Sequence, residues 1–81
     1  MLVTVRLFAS LREAVGRSEL QLELPEAATS EDAWRALVGF HPALAERRAS
    51  LAVAVNREYA AFDQRLTAGD EVVFIPPVSG G

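Results

Sequence analysis

Leu66-Thr-Ala-Gly-Asp-Glu-Val-Val-Phe-Ile-Pro-Pro-Val-Ser-Gly-Gly81 closes the chain with a turn, a strand and a stop. Leu66 to Asp70 is turn chemistry, and Glu71 to Ile75 is a nearly unbroken apolar run of strand length. Pro76 and Pro77 end that strand because neither can donate to a ladder. The last four residues, 78–81, then read as an extended tail on a single domain spanning 1–77. Glycine is about 7% of residues on average, so two terminal glycines arise by chance in about 0.5% of chains. Five terminal residues reach about 17 Å when extended. Without Cβ atoms, Gly80 and Gly81 could thread a channel too narrow for other residues, with Ser79 and Val78 behind them. The group such a tail would deliver is the α-carboxylate of Gly81. A carboxylate donates its acyl group only once its oxygen is made a good leaving group, as a mixed anhydride with AMP does.

Working outward, the other elements fit around that last strand. Val3, Val5 and Leu7 alternate with Thr4, Arg6 and Phe8, the period of a strand with one core face over residues 2–9. Ser10 is placed to cap a short helix through Leu11, Ala14 and Val15, which Gly16 ends. Leu20, Leu22 and Leu24 alternate with Glu19, Gln21 and Glu23 in a second strand over 18–24, stopped by Pro25. Thr29-Ser-Glu-Asp32 is a helix start, with an acid three residues after the first hydroxyl. Ala33, Trp34, Leu37 and Val38 repeat at helical spacing up to Gly39, and Trp34 is assigned to the core. His41-Pro42 breaks the chain and opens a short helical turn through Ala43, Leu44 and Arg47. Leu51 to Val55 is an apolar strand, followed by a turn at Asn56-Arg57-Glu58 and a short segment from Tyr59 to Phe62.

The first and last strands are the most apolar along their length, which suits central positions in a sheet. The expected fold is α+β, one main helix across a mixed sheet of four to five strands.

Composition narrows the chemistry. Eighty-one residues make one domain, with no room for a second core or a hollowed-out active site, so a self-contained enzyme is not expected. The chain has no cysteine, which removes disulfides, zinc–thiolate and iron–sulfur sites and thiol nucleophiles. A net charge of −3 gives no electrostatic footprint for nucleic acid. No apolar run approaches the roughly 20 residues of a membrane span, and a cytoplasmic protein is expected. The single histidine, His41, beside Pro42, reads as a surface or capping residue rather than a triad member or metal ligand, and no metal site is expected. Arg47 and Arg48 read as a solvated face. All eight basic residues are arginine, so an acyl group formed at Gly81 would find only the N-terminal amine to attack within its own chain.

Three stretches together resemble one family. Leu7-Phe-Ala-Ser-Leu-Arg-Glu-Ala-Val-Gly16, Val53-Ala-Val-Asn56 and above all Leu66 to Gly81 are similar to the MoaD family of ubiquitin-like sulfur carriers, the small subunits of molybdopterin synthase. The Phe-Ile-Pro-Pro-Val-Ser-Gly-Gly ending carries most of the likeness; thiamine-pathway carriers share the Gly-Gly end but usually lack the double proline. The resemblance implies the β-grasp fold, with no cofactor held by the chain itself. It also implies a mechanism. A MoeB-like adenylyltransferase, akin to ubiquitin-activating enzymes, would use ATP to adenylate Gly81, and a sulfur donor protein would convert the adenylate to a thiocarboxylate. The tail would then enter the large subunit, MoaE, and pass sulfur to cyclic pyranopterin monophosphate within a heterotetramer. Phe8, Phe74, Pro76 and Val78 are candidates for the apolar docking surface, with Arg12 a polar one, and a core or merely surface role for either phenylalanine stays open. The competing readings are a sulfur carrier for thiamine or tRNA thiolation, a protein modifier joined through Gly81, and a ubiquitin-like binding module with an inert tail.

Overall fold

Three side chains of the first strand, Val3, Val5 and Leu7, are almost wholly shielded from solvent, while Leu2 and Arg6 are exposed and Thr4 half-buried. That alternation sets the plane of the sheet, since successive strand side chains point to opposite faces. The computed structural model describes residues 1–77. In chain order the elements are β1 (Leu2–Leu7), α1 (Ala9–Val15), β2 (Glu19–Glu23), α2 (Ser30–Phe40), a 3-10 segment (Pro42–Ser50), β3 (Ala52–Val55), β4 (Glu58–Ala60) and β5 (Glu71–Ile75).

The five strands form one sheet in the order β2-β1-β5-β3-β4. β1 and β5 run parallel and all other neighbours are antiparallel, so the first and last strands lie inside the sheet, as their apolar character predicts. β5, with a partner on each side, is its middle strand. The α+β expectation holds, with the strand count settled at five.

α2 crosses the sheet and supplies Ala33, Trp34 and Leu37 to a core that also takes Leu11, Leu22, Leu44, Val53, Val72 and Phe74. Phe74 meets the Trp34 ring edge-on at 5.1 Å and stacks against Phe62 at 6.3 Å. Burying side chains of this size contributes about 1.5–3 kcal/mol each. The start of α2 is fixed locally as the sequence predicts. The Asp32 amide donates to Thr29 Oγ1 at 3.2 Å, and the Thr29 amide donates to Asp32 Oδ2 at 2.9 Å, a reciprocal capping box.

Several local expectations change. α2 runs through Gly39 to Phe40, because Gly39 keeps helical geometry and the true stop is His41, held at φ −135° and ψ 76° ahead of Pro42. His41 serves as a cap through its backbone, its amide donating to the Leu37 and Val38 carbonyls at 3.0 and 3.1 Å. Ser10 is not the cap of α1. Phe8 holds that position without a side-chain hydrogen bond, and Ser10 Oγ instead accepts from Arg47 Nη1 at 2.8 Å. Arg47 and Arg48 are therefore no solvated face: Arg48 binds both Glu31 carboxylate oxygens and lies 3.4 Å above the Phe62 ring centroid. Together they tie the 3-10 segment to both helices. Among the described residues no helix is long and apolar enough to cross a membrane.

Candidate functional site

The sheet face turned away from α2 is built from alternate residues of every strand. Register aligns Arg6 with Val73, Val73 with Ala54, and Ala54 with Tyr59 in one row across β1, β5, β3 and β4. One row further toward the end of β5, Ile75 pairs with Ala52. Phe8, still extended at φ −128° and ψ 161°, continues β1 one step past the Leu7–Phe74 pair and so arrives beside Ile75. Phe8 is 49% exposed and Tyr59 80%, while Ile75 and Pro76 are half-buried and Pro77 is exposed. The result is an apolar strip that ends where β5 does.

Charge borders this strip on one side. Arg6 reaches Glu71 at 2.8 Å and Glu19 at 3.2 Å, two exposed ion pairs that contribute little to stability but mark a polar rim. An apolar centre with a charged border is the composition of a protein docking surface rather than of a catalytic pocket.

The chain anchors Phe8 through its backbone. Its carbonyl accepts from the Leu11 and Arg12 amides at 3.1 and 3.3 Å, and the next residue, Ala9, takes the left-handed region at φ 49°. A non-glycine residue there costs about 1–2 kcal/mol. This sharp corner swings the chain out of the sheet immediately after Phe8 and leaves β5 unpaired by β1 beyond that row. Arg12 is exposed on α1, which begins at that corner.

Of the residues predicted from sequence, Phe8 lies on this surface and Arg12 is exposed on the adjoining helix, while Pro76 is half-buried just past the end of β5. Phe74 does not join them. It is 0% exposed and pairs with Leu7, so it faces α2 and is removed from any docking surface; its role is in the core. Val78, Ser79, Gly80 and Gly81 fall outside the described residues. The sequence reading missed Ile75, Val73, Ala52 and Tyr59. A signal for two of them was present in the period of β5, where Val73 and Ile75 share the face that Val72 and Phe74 do not.

The model of the ThiS family matches residues 5–81. The molybdopterin synthase sulfur carrier subunit of Chlamydomonas reinhardtii is 39% identical over 83 residues, covering 100% of both chains. Small archaeal modifier protein 1 of Haloferax volcanii is 40% identical, with 94% of this chain and 97% of that protein covered. The crystal structure of SAMP1 from Haloferax volcanii has a TM-score of 0.90 at 38% identity over 100% of each chain. Topology and likeness agree on the ubiquitin-like β-grasp fold.

Proposed function

The chain belongs to the ThiS family, and from that premise we propose that it is a sulfur carrier, the small subunit of a molybdopterin synthase. The observation that carries this reading is the extent of the likeness. The family match runs through Gly81, and the full-length relative from Chlamydomonas reinhardtii bears that subunit's name.

In the proposed cycle, a carboxylate oxygen of Gly81 attacks the α-phosphate of ATP on an adenylyltransferase, and pyrophosphate leaves. A sulfide equivalent from a donor protein then attacks the acyl carbon, AMP departs, and a C–S bond replaces the C–O bond. Inside the large subunit the thiocarboxylate sulfur attacks a carbon of the pterin precursor and displaces an oxygen substituent from it. Water then cleaves the resulting thioester so that sulfur stays on the precursor and Gly81 regains its carboxylate, and a second round supplies the second sulfur. Each step asks little of this chain beyond presenting one terminal group. Gly80 and Gly81 permit close approach by an enzyme's backbone because they lack Cβ atoms. The strip of Phe8, Ile75 and Val73 gives the large subunit a surface to grip next to the last described residues. General acids and bases are assigned to the partners.

The test is conversion of cyclic pyranopterin monophosphate by the co-purified small and large subunits after loading with ATP, activating enzyme and sulfide. Full-length protein is expected to support product formation. Deleting Gly81 is expected to abolish it without altering the fold, because a terminal residue contributes little packing. Product formation by the truncated protein would overturn the assignment.

A second reading has one observation in its favour, the 40% identity to a protein named as a modifier. In that reading Gly81 is joined to lysines of other proteins. Isopeptide-linked peptides ending in the Gly81 remnant, found in cells expressing tagged protein, would establish it.

A further inference from the structure

β2 is an edge strand, paired only with β1. The hydrogen bonds at its two ends show which way its backbone points. The Met1 amine and the Leu24 amide exchange bonds with each other's carbonyls at 2.6 and 2.8 Å, and the Leu7 amide donates to the Ser18 carbonyl at 2.9 Å. Antiparallel alternation then commits the backbone of Leu20 and Leu22 to β1 and leaves that of Glu19, Gln21 and Glu23 turned to the open edge.

Beside this edge, on the helix side, lies a pocket of about 260 Å³ between β2 and the end of α2, lined by Arg17, Leu20, Leu22, Leu37, Phe40 and His41 among others. Phe40 is 72% exposed on its rim. Among the described residues no carboxylate lines the pocket and Arg17 takes part in no ion pair. The acids of β2 project from the other face and are engaged within the chain, Glu19 with Arg6 at 3.2 Å and Glu23 with the Met1 amine at 2.7 Å.

We propose that the open edge of β2 and the pocket beneath it form a docking groove for an extended segment of a partner protein, one with a short apolar core and an acidic end. The segment adds as a sixth strand through the backbone groups of Glu19, Gln21 and Glu23. Alternate apolar side chains enter the pocket against Leu20, Leu22 and Phe40, and its acidic end meets Arg17. A second copy of this chain is the wrong occupant. An antiparallel β2–β2 pair centred on Gln21 sets Glu19 opposite Glu23, and like charges directly opposite are destabilising. The groove lies on the far side of β1 from β5, so a partner held there leaves the Phe8–Ile75 strip uncovered. The proposal is independent of the sulfur-carrier reading.

A capped peptide of alternating valine and isoleucine ending in aspartates, titrated into labelled protein and followed by amide NMR, tests this. Saturable shifts at Gln21 and Phe40 are expected, with slowed hydrogen exchange at Glu19, Gln21 and Glu23 and little change at Leu20 and Leu22, whose amides are already bonded. Phe40→Ala and Arg17→Glu should each weaken binding at least about tenfold, as loss of an interface anchor does. Arg17→Glu should also reverse the preference toward a peptide ending in lysines. Neither variant should alter sulfur loading at Gly81. Absence of saturable shifts, shifts confined to Val73, Ile75 and Tyr59, or full affinity in Arg17→Glu would each overturn the proposal.

Discussion

Leu7 of β1 and Phe74 of β5 stand side by side in the parallel pair at the centre of the sheet, both at 0% exposure. One residue further on, Phe8 and Ile75 turn to the opposite face. A single step along each strand thus separates core from surface, and two phenylalanines that look equivalent in sequence acquire opposite roles.

The two residues should respond differently to truncation. Phe74→Ala removes a ring packed on Trp34 and Phe62 and should cost about 3–5 kcal/mol, against a total stability of about 4–12 kcal/mol for a chain of this length. Phe8→Ala should cost less than about 1 kcal/mol in denaturant unfolding, because half of the ring is already in water. The same variant should weaken capture of the large subunit by about tenfold or more, read by titration of the purified partners.

Acid should loosen the attachment of the 3-10 segment. The Arg48 guanidinium, hydrogen-bonded to Glu31, holds that carboxyl below its ordinary value of 4.5. The Thr29 amide and hydroxyl hold Asp32 below 3.8. A depressed native pKa stabilises fully above the unfolded value, and this contribution is lost as pH falls through the native one. Unfolding free energy should therefore be level between about pH 5 and 7 and decline below that range. Glu31→Gln should be less stable at neutral pH, with a shallower acid limb. An unchanged limb would remove the Glu31–Arg48 pair from this account.

The β3–β4 hairpin offers a gain in stability. Asn56 and Arg57 both have positive φ, at 51° and 69°, the geometry of a two-residue turn that favours Asn-Gly. Arg57 contributes in return only a 3.8 Å approach to Glu71 from an 88% exposed side chain. Arg57→Gly should raise stability by up to about 1 kcal/mol, measured as a higher denaturation midpoint.

Ser30 is 0% exposed, and its hydroxyl has no hydrogen-bond partner among the described residues. Replacing it with alanine removes an unsatisfied buried group and should be neutral or stabilising by about 1 kcal/mol in the same measurement. A clear loss of stability would show that the hydroxyl is satisfied in solution.

Much of this was legible in sequence because it is local. The capping box at Thr29 and Asp32, the alternation in β1 and β2, and the proline stop after Ile75 each depend on neighbours within a few residues. The face on which Phe74 lies depends on which strand lies beside β5 and in what register, information held some seventy positions away at Leu7. Arg48 was misread for the same reason, since its partners Glu31 and Phe62 lie on other elements. The helix end at Gly39 was misplaced because glycine permits a stop without imposing one, whereas His41 before Pro42 imposes it. The role of Gly81 rests on the sequence and its relatives, since residues 78–81 lie outside those described.

The central claim concerns one atom of that residue. Intact-mass spectrometry of the protein, before and after incubation with ATP, the activating enzyme and a sulfide source, tests it directly. Exchange of oxygen for sulfur predicts a gain of about 16 Da, placed on Gly81 by fragmentation and lost on incubation with the large subunit and the pterin precursor. A mass that stays unchanged under conditions that load a known carrier would contradict the sulfur-carrier account.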